Sequence, residues 1–513
     1  MFLLMSNAKP KNVKPQNAKP KSIFLAAVVL SVVIVCYVFS TMQRNYRTYE
    51  AKNNSLLIFP KSVKFGGEML PGEVFRNMET ARFERDRDLI AEIKKIIAQK
   101  ETPSEIFKND LSGKVNIAPT LNNVFRLDNS EELKTLRDAA PKENEWNINS
   151  ETLEQLSEIL DHFEEKRLTI RNTLNRSNTC FYFLFEQDEE FGEIVDVQAA
   201  DYLEDYLLLE EYAIAKALRD GRIEDALDSL VYIFRIAQLA SEIAVPAVRS
   251  SAALIRLRAV DVMQTIVLNP KFNKRYLNGL YEMLQEQLEY WTPDRAVWVA
   301  DRASGLKTYH RILQYGPEAA LTPTEIDDLE KRDLLMFVVR KQKKRKTEKN
   351  NTAANDNNDT DNNEVKETIL LKNDFLHTHV ADEIFYLKSM QKVIDECPKP
   401  YYQRLAVLNE INNEVLDKMD KKPEPVIAEI LLRGIVQSMR LHAQDRAGCE
   451  IAFLAMSVSL GKQTVMSLTI NPFSEEKYGI NGMEDTENPE NKLIQVSSPG
   501  NRQPFRVPDY RIK

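Results

Sequence analysis

The densest group of side chains that could do chemistry together lies in residues 290–310. The candidate ligand-binding residues there are Trp298, Asp301, Arg302, Tyr309 and His310. On a helix, Trp298, Arg302 and Tyr309 fall near one face, and Asp301 and His310 fall less close to it. An aspartate can orient a histidine as a general base, so the group could bind a ligand or carry acid–base chemistry. The alternative is a helix–helix interface held by Arg–Asp pairs and aromatic packing.

The other motifs predict no catalytic residue, no cofactor and no metal site. The chain contains no His-Glu-x-x-His, Cys-x-x-Cys, Gly-x-Ser-x-Gly or Gly-x-Gly-x-x-Gly sequence. His377-Thr378-His379, with Asp382 and Glu383 close behind, does supply ligand-type side chains. We assign this segment to a helix, where residues two apart point about 200° apart and cannot share one ion.

Residues 23–42 form an apolar stretch without charge. Twenty helical residues span about 30 Å, so this stretch fits a single transmembrane helix acting as a signal-anchor. The preceding basic residues are Lys9, Lys11, Lys14, Lys19 and Lys21. Since positive charge stays in the cytoplasm, we expect a cytoplasmic N-terminus and residues 43–513 on the exported side, periplasmic or extracellular. A cleaved signal peptide is the alternative, disfavoured by the long basic region and the lack of a small-x-small site.

Composition limits the partners of the exported part. The net charge of −8 includes the five lysines of the tail, so the remainder carries −13. A nucleic-acid partner is therefore not expected, because binding requires a basic face that displaces counterions. Glycine is scarce, with 15 in 513 residues, which leaves few turns for a many-stranded sheet.

The predicted fold class is mainly α: a transmembrane helix, then an irregular helical bundle or α-array, then a small irregular or β-containing C-terminal tail. The predicted helices cover 73–100, 150–174 (with Ser150 as N-cap), 245–268, 273–290, 294–315, 323–340, 367–396, 401–419 and 423–460. The predicted parts are a basic cytoplasmic tail (1–22), the transmembrane helix (23–42), a juxtamembrane linker (43–75), a helical domain (76–340) with a hairpin at 197–241, a disordered charged, Asn-rich insertion (341–366), C-terminal helices (367–460) and an irregular or β-hairpin tail (461–513).

The hairpin at 197–241 has the clearest pattern. Two amphipathic stripes are separated by Arg219-Asp220-Gly221-Arg222, which predicts antiparallel helices joined by a tight turn. Gly221 and Ala226 stand where a tetratricopeptide unit has its turn glycine and packing alanine. Thirty-four residues beyond Gly221 stands Ile255, in the middle of a helix, and no second copy appears. We therefore describe one hairpin as tetratricopeptide-like.

Outside the anchor, the cysteines are Cys180, Cys397 and Cys449, since Cys36 lies within the apolar stretch. On an oxidising side, one disulfide among these three is possible, and the sequence does not choose the pair. The alternative is that all three are buried free thiols that pack as small hydrophobic side chains.

Residues 175–480 carry a diffuse resemblance. The segments in order are Cys180-Phe181 in an aromatic-rich stretch, a long helix, the run Ala217–Leu227, helices around Ala253–Val267 and Asp301–Arg311, a helix at Arg446–Leu460 and the turn Asn471-Pro472-Phe473. This order is similar to an uncharacterised family of membrane-anchored helical proteins of planctomycete-type bacteria. Asn471 replaces the family's Asp, and the Tyr-Pro element before the turn is absent. That family has no established activity, so the resemblance implies location and fold only.

These patterns favour a non-catalytic, membrane-anchored helical scaffold or interaction protein of the cell envelope. Its expected partners are the lipid bilayer, through the anchor helix, and other envelope proteins. One alternative is an enzyme of unrecognised type with a site near 290–310. The other is a structural or secretion-related envelope component, suggested by the terminal Asn-Pro-Phe turn.

Overall fold

The computed structural model describes only part of the chain. The described residues are 64–65, 68–69, 113–125, 130–141, 146, 148–182, 184–188, 192–196, 198–341, 365–371, 373–419, 425–462, 470–484, 492–498 and 504–510. The predicted cytoplasmic tail, transmembrane helix, helix 73–100 and most of the insertion lie outside them. Among the described helices, none combines the length and apolar character needed to cross a bilayer.

The described chain is mainly helical, as predicted. The helices are α1 (Ala118–Phe125), α2 (Ser130–Asp138), α3 (Ser150–Gln155), α4 (Ser157–Leu174), α5 (Gln198–Arg219), α6 (Ile223–Ser241), α7 (Pro246–Val267), α8 (Lys274–Glu289), α9 (Asp294–Tyr315), α10 (Pro323–Lys331), α11 (Asn373–Glu396), α12 (Tyr401–Met419), α13 (Ile427–Leu432) and α14 (Ile435–Leu460), with a 3₁₀ turn at Pro317–Ala319.

The strands are short and form small sheets. They are β1 (Lys64–Phe65), β2 (Glu68–Met69), β3 (Val115–Asn116), β4 (Thr179–Cys180), β5 (Leu184–Asp188), β6 (Gly192–Asp196), β7 (Leu335–Lys341), β8 (Val365–Leu371), β9 (Gly479–Glu484), β10 (Lys492–Ser497) and β11 (Phe505–Pro508). Antiparallel pairs join β1 to β2, β5 to β6 and β7 to β8, while β3 and β4 pair in parallel. The order β11-β10-β9 forms an antiparallel C-terminal sheet.

The predicted hairpin is present as α5 and α6. Gly221 adopts a φ of +72°, which an L side chain rarely adopts. The Arg222 N–H donates to the Ala217 carbonyl at 2.8 Å, and the Gly221 N–H donates to Leu218 at 3.0 Å. These two bonds form a Schellman motif, which satisfies the last carbonyls of α5 and reverses the chain.

Helix α14 forms the centre of the structure. Every residue from Ala447 to Ser457 is buried, and α7, α8, α12, β10 and β11 pack around the helix. Its one charged side chain in this stretch, Glu450, accepts from the Tyr478 hydroxyl and from Arg446; the other residues are apolar or small, as expected of a helix buried on all sides. Gly448 allows α7 to come close, because a Cβ built there would lie 3.1 Å from Leu257 Cδ2.

The C-terminal sheet packs on this centre. Ile494 and Val496 of β10 lie opposite Val507 and Phe505 of β11, and all four side chains are buried in the main core. The side-chain amide of Gln264 in α7 pairs with the outer edge of β11: it donates to the Arg506 carbonyl at 2.7 Å and accepts from the Arg506 N–H at 2.6 Å. The β-containing tail is thus confirmed, with three strands where a hairpin was predicted.

The helix predicted at 150–174 is broken into α3 and α4. Its N-cap is Asn149, not Ser150, because the Asn149 side chain accepts from the Thr152 N–H at 2.8 Å. The break falls at Leu156, and the Ser157 hydroxyl donates to the Glu154 carbonyl at 2.9 Å. Such side-chain bonds compete with the helical pattern.

The predicted helix 323–340 is wrong beyond Lys331. Asp333 has a φ of +57°, and the β-rich run Leu335–Lys341 pairs with Val365–Leu371 as an antiparallel ladder. The predicted helix 367–396 accordingly begins at Asn373. These two strands flank the predicted insertion, of which 342–364 lie outside the described residues.

The predicted helix 423–460 is two helices, separated at Gly434 with a φ of +82°. The first of them, α13, is capped from another helix: the buried Asp382 carboxylate of α11 accepts from the N–H groups of Val426, Ile427 and Ala428 at 3.2, 2.8 and 3.0 Å. A carboxylate at a helix N-terminus satisfies the donors that have no partner within the helix.

The close approach of α9 and α11 predicts a strong effect at Gly305. A Cβ built there would lie 2.1 Å from Tyr386 Oη and 2.4 Å from Tyr386 Cζ. We expect Gly305→Ala to lower the free energy of unfolding by about 1–3 kcal/mol, because the buried ring must move. Gly279→Ala in α8 is the matched control: nothing lies within 4 Å, so helix propensity should raise stability by up to about 1 kcal/mol. Urea unfolding measures both; equal effects would contradict the packing.

Candidate functional site

The structure divides the predicted ligand-binding residues between two contacts of α9. The Trp298 ring is buried and lies 6.3 Å from the His442 ring of α14. The Tyr309 ring is buried and lies 5.8 Å from the Tyr386 ring of α11. Arg302 donates to the Gln391 Oε1 atom of α11 at 2.7 Å. The side chain of His310 lies outside the described residues.

Asp301 is the predicted residue with the most altered acidity. It is half-buried, and burial raises the pKa of its carboxyl to about 7. Its backbone carbonyl accepts from the Tyr386 hydroxyl at 3.1 Å. A carboxyl with this pKa suits acid–base chemistry, but it lies at the packed α9–α11 contact and lines neither cavity described below. The predicted site stays a prediction.

The described histidines and cysteines show neither a metal-binding group nor a disulfide. Within the described part of the chain, no three or more His, Cys, Asp or Glu side chains are grouped to hold a metal ion. Cys180, Cys397 and Cys449 are free and buried, so no disulfide joins them. Burial raises the pKa of Cys397 to about 12, which keeps its thiol protonated and unreactive.

A buried cluster of charges surrounds Trp291, in the turn between α8 and α9. The guanidinium carbons of Arg256, Arg446 and Arg249 lie 4.6, 4.9 and 5.4 Å from the Trp291 ring centroid. Arg249 and Arg256 are 0% exposed. Arg256 Nη1 lies 3.6 Å from Asp445 Oδ2 of α14. We call these five residues the Trp291 cluster; cation–π contacts in such a desolvated place are worth about 2 kcal/mol each.

The cluster also reaches the start of α9 and α12. The Asp294 carboxylate accepts from Arg404 Nη1 at 2.8 Å and lies 3.4 Å from His442 Nδ1. Arg249 donates to the carbonyls of Ser241 and Thr292 at 3.3 and 3.1 Å. These bonds tie the ends of several helices to buried guanidinium groups. The arrangement positions backbone and aromatic groups, and we assign it a structural role.

An open cleft of about 510 Å³ lies between α5, α7 and α14. Each wall helix presents residues at helical spacing. The wall residues are Glu204, Leu207 and Leu208 of α5; Leu254, Leu257, Arg258, Asp261 and Gln264 of α7; and Leu441, Gln444, Gly448 and Ile451 of α14. Trp146 and Phe505 also line it. We call this space the α7 cleft. A volume of this size and a mainly apolar lining are typical of binding sites.

Charged groups stand at the rim of the α7 cleft. Arg258 makes a bidentate pair with the buried carboxylate of Glu211, at 2.8 and 2.7 Å. Arg137 makes another with buried Asp205, at 2.7 Å for both bonds. Partial burial and the nearby carboxylates of Asp201 and Asp205 raise the pKa of Glu204. The guanidinium groups of the rim are therefore already paired, whereas a negative potential persists around Glu204.

A smaller cleft of about 280 Å³ lies where α4 meets the α5–α6 hairpin. Its lining is polar, and its charges pair with one another. Buried Glu210 accepts from Arg171 Nε at 2.8 Å and from Arg167 Nη1 at 2.9 Å. Arg171 also donates to Asp228 at 2.7 Å and stacks on Tyr232. These pairs fasten α4 to the hairpin and leave little unsatisfied charge for a ligand.

The comparisons with known proteins place this chain in no group: no protein-family model, no curated protein and no solved structure matches it. The resemblance to membrane-anchored helical proteins therefore remains a prediction.

Sequence reasoning missed the α7 cleft. Its signal on α7 is the spacing Leu254, Leu257, Arg258 and Asp261, at i, i+3, i+4 and i+7. The signal is weak, because α7 carries four charged residues: Arg258 and Asp261 line the cleft, whereas Arg249 and Arg256 are fully buried. The sequence does not show which other helices meet that face, because α5 and α14 are distant along the chain.

The raised pKa of Asp301 predicts a pH dependence of stability. The folded state holds this proton more tightly than the unfolded chain, whose Asp titrates near pH 4, so stability falls as pH rises from about 4 to 7. We expect Asp301→Asn to flatten this fall and to raise the free energy of unfolding at pH 8 by about 1–2 kcal/mol. Asp327→Asn, at an exposed position of α10, is the control and should leave the pH curve unchanged. A steeper fall in Asp301→Asn would contradict the assignment.

Trp291 and its neighbour Tyr290 form a second matched pair. Tyr290 is 70% exposed, whereas the Trp291 ring contacts three guanidinium groups. We expect Trp291→Ala to lower the free energy of unfolding by about 2–4 kcal/mol and Tyr290→Ala to change it by less than about 0.5 kcal/mol. Denaturant titration followed by far-UV circular dichroism measures both. Equal losses would show that the guanidinium contacts contribute no stability.

Proposed function

We propose that this chain is a non-catalytic helical interaction protein that binds an apolar segment of a partner protein in the α7 cleft. The observation that carries this proposal is the cleft itself, in which faces of three helices converge on an open apolar space. Leu254 is 45% exposed at its edge. Apolar side chains that line a concave, solvent-accessible surface mark a binding site more often than isolated exposed ones do.

The chemistry of the cleft favours binding over catalysis. Its walls are mainly aliphatic and aromatic, and its polar groups are rim side chains. Arg137 and Arg258 are held in bidentate pairs with buried carboxylates, so they orient the walls. Hydrophobic contact inside a charged rim is the composition expected of a protein–protein contact.

We further propose that the protein acts at the cell envelope, anchored by residues 23–42 with its bulk on the exported side. The support is the uncharged apolar stretch and the basic residues before it. The expected partners are then other envelope proteins.

Site-specific photocrosslinking in the native host tests both proposals. Full-length chains carry benzoylphenylalanine at Leu254 or at Leu268, which is 40% exposed at the C-terminal end of α7 and does not line the cleft. We expect one discrete adduct from position 254 and none from 268, and we expect it to stay in carbonate-washed membranes. Adding Leu441→Asp should abolish the adduct, because Leu441 lines the cleft and is only half-buried.

The experiment distinguishes failure of the cleft proposal from failure of the anchor proposal. Equal labelling from both positions, or no adduct from 254, contradicts the cleft. An adduct of twice the chain's own mass would show self-association and would also overturn the partner-protein proposal. Release of the full-length chain by carbonate contradicts the anchor alone.

A further inference from the structure

Resting on the proposed function of the α7 cleft, we propose that its occupant is a basic amphipathic helix: one face supplies apolar side chains to the cleft, and one flank presents a lysine or arginine to Glu204. The chemical class of the partner follows from two observations, the charge of the rim and the shape of the walls.

The charge of the rim is negative. The charged groups that line the cleft are Arg137, Arg258, Glu204 and Asp261. Asp205 and Glu211 are the bonding partners of the two arginines. With Glu204, Asp261 and Asp205 ionised, three carboxylates stand against two guanidinium groups, which gives a net charge of −1. Burial raises the pKa of Glu211 to about 7, so above that pH the net charge approaches −2. The rim therefore attracts a cation on the partner and repels an anion. It favours encounters in which the positive side of the partner faces the rim.

Glu204 is the rim group best placed to receive that cation. Its side chain is accessible at the surface of α5, and the neighbouring carboxylates of Asp201 and Asp205 add to the negative potential around it. Glu204 stands one helical turn before Leu207 and Leu208, which line the apolar wall. A ligand side chain four positions from an anchoring leucine would span the same distance.

The shape of the walls fits a helix. The α7 residues that line the cleft recur at 254, 257, 258, 261 and 264, and those of α14 recur at 441, 444, 448 and 451. Ridges with this spacing form grooves that accept the ridges of another helix. A bound helix would insert side chains at i, i+3, i+4 and i+7, the usual pattern of helix-in-groove recognition.

Three synthetic peptides serve as probes for the full-length protein. The first is a capped amphipathic peptide of about 14 residues, about 21 Å when helical, with leucines at helical spacing and lysines on one flank. The second has glutamate in place of each lysine. The third is the lysine peptide with two central prolines, which prevent a helix. Dodecylamine, a cationic single-chain amphiphile, tests the lipid alternative.

We expect the lysine peptide to bind about three- to tenfold more tightly than the glutamate peptide at low salt, with the ratio shrinking near 0.5 M salt. The proline peptide should bind at least tenfold more weakly. Isothermal titration calorimetry measures each. Glu204→Lys should remove the preference for lysine, whereas Glu282→Lys, on the exposed face of α8, should keep it.

Further variants separate this inference from the proposed function. Leu254→Asp should abolish binding of every peptide, and Leu268→Asp should not. Equal binding of the lysine and glutamate peptides, lost in Leu254→Asp, would overturn the basic partner and leave the cleft as the binding site. Equal binding of the proline peptide would overturn the helix. If the protein binds dodecylamine but none of the peptides, both the inference and the proposed function are overturned. The same conclusion follows if no peptide binds and position 254 gives no crosslink.

Discussion

The contact between α7 and α14 is the constraint on which the rest of the structure depends. On one side, Arg256 of α7 faces Asp445 of α14 beneath the Trp291 ring. On the other side, Leu257 packs on Gly448. A buried ion pair is not in itself strongly stabilising, but loss of one partner leaves an uncompensated charge at a cost of about 3–5 kcal/mol. A shifted alignment of the two helices would separate the pair and incur that cost.

That alignment builds the candidate site. Arg256 and Leu257 are adjacent in sequence and point about 100° apart around α7. Arg256 therefore reaches Asp445 in the core while Leu257 lines the cleft, so the charge cluster and the cleft share one helix. When Arg256 meets Asp445, Leu257 meets Gly448, and the walls of the cleft come into register. The Gln264 amide then fixes β11 beside the same helix, which places Phe505 at the end of the cleft. The α7 cleft is thus a consequence of core packing.

The parts of the fold that could be predicted are those set by local chemistry. Gly221 ends α5 in a backbone conformation with positive φ, which glycine adopts readily. The apolar stripes of the two flanking helices then define the hairpin. The strand Leu335–Lys341 was missed because a short apolar run fits a helix or a strand equally. Its partner begins only at Val365. The break at Gly434 was missed because apolar residues continue at helical spacing on both sides of this glycine, and the start of α13 was missed because its cap, Asp382, is far along the chain.

The site was harder to predict than the fold for the same reason. Trp298 and Tyr309 were predicted to bind a ligand because they belong to a polar–aromatic cluster in the sequence. In the structure, their rings are buried against α14 and α11. Nothing in the sequence distinguishes Leu254 from other leucines. Only the packing of α5 and α14, which leaves it at the edge of a cavity, marks it as a candidate contact residue. Since the floor of that cavity belongs to the packed core, the backbone is already arranged and a ligand need only match its side chains. Core substitutions should therefore weaken binding through lost folding, whereas changes at exposed Leu254 act on the contact itself.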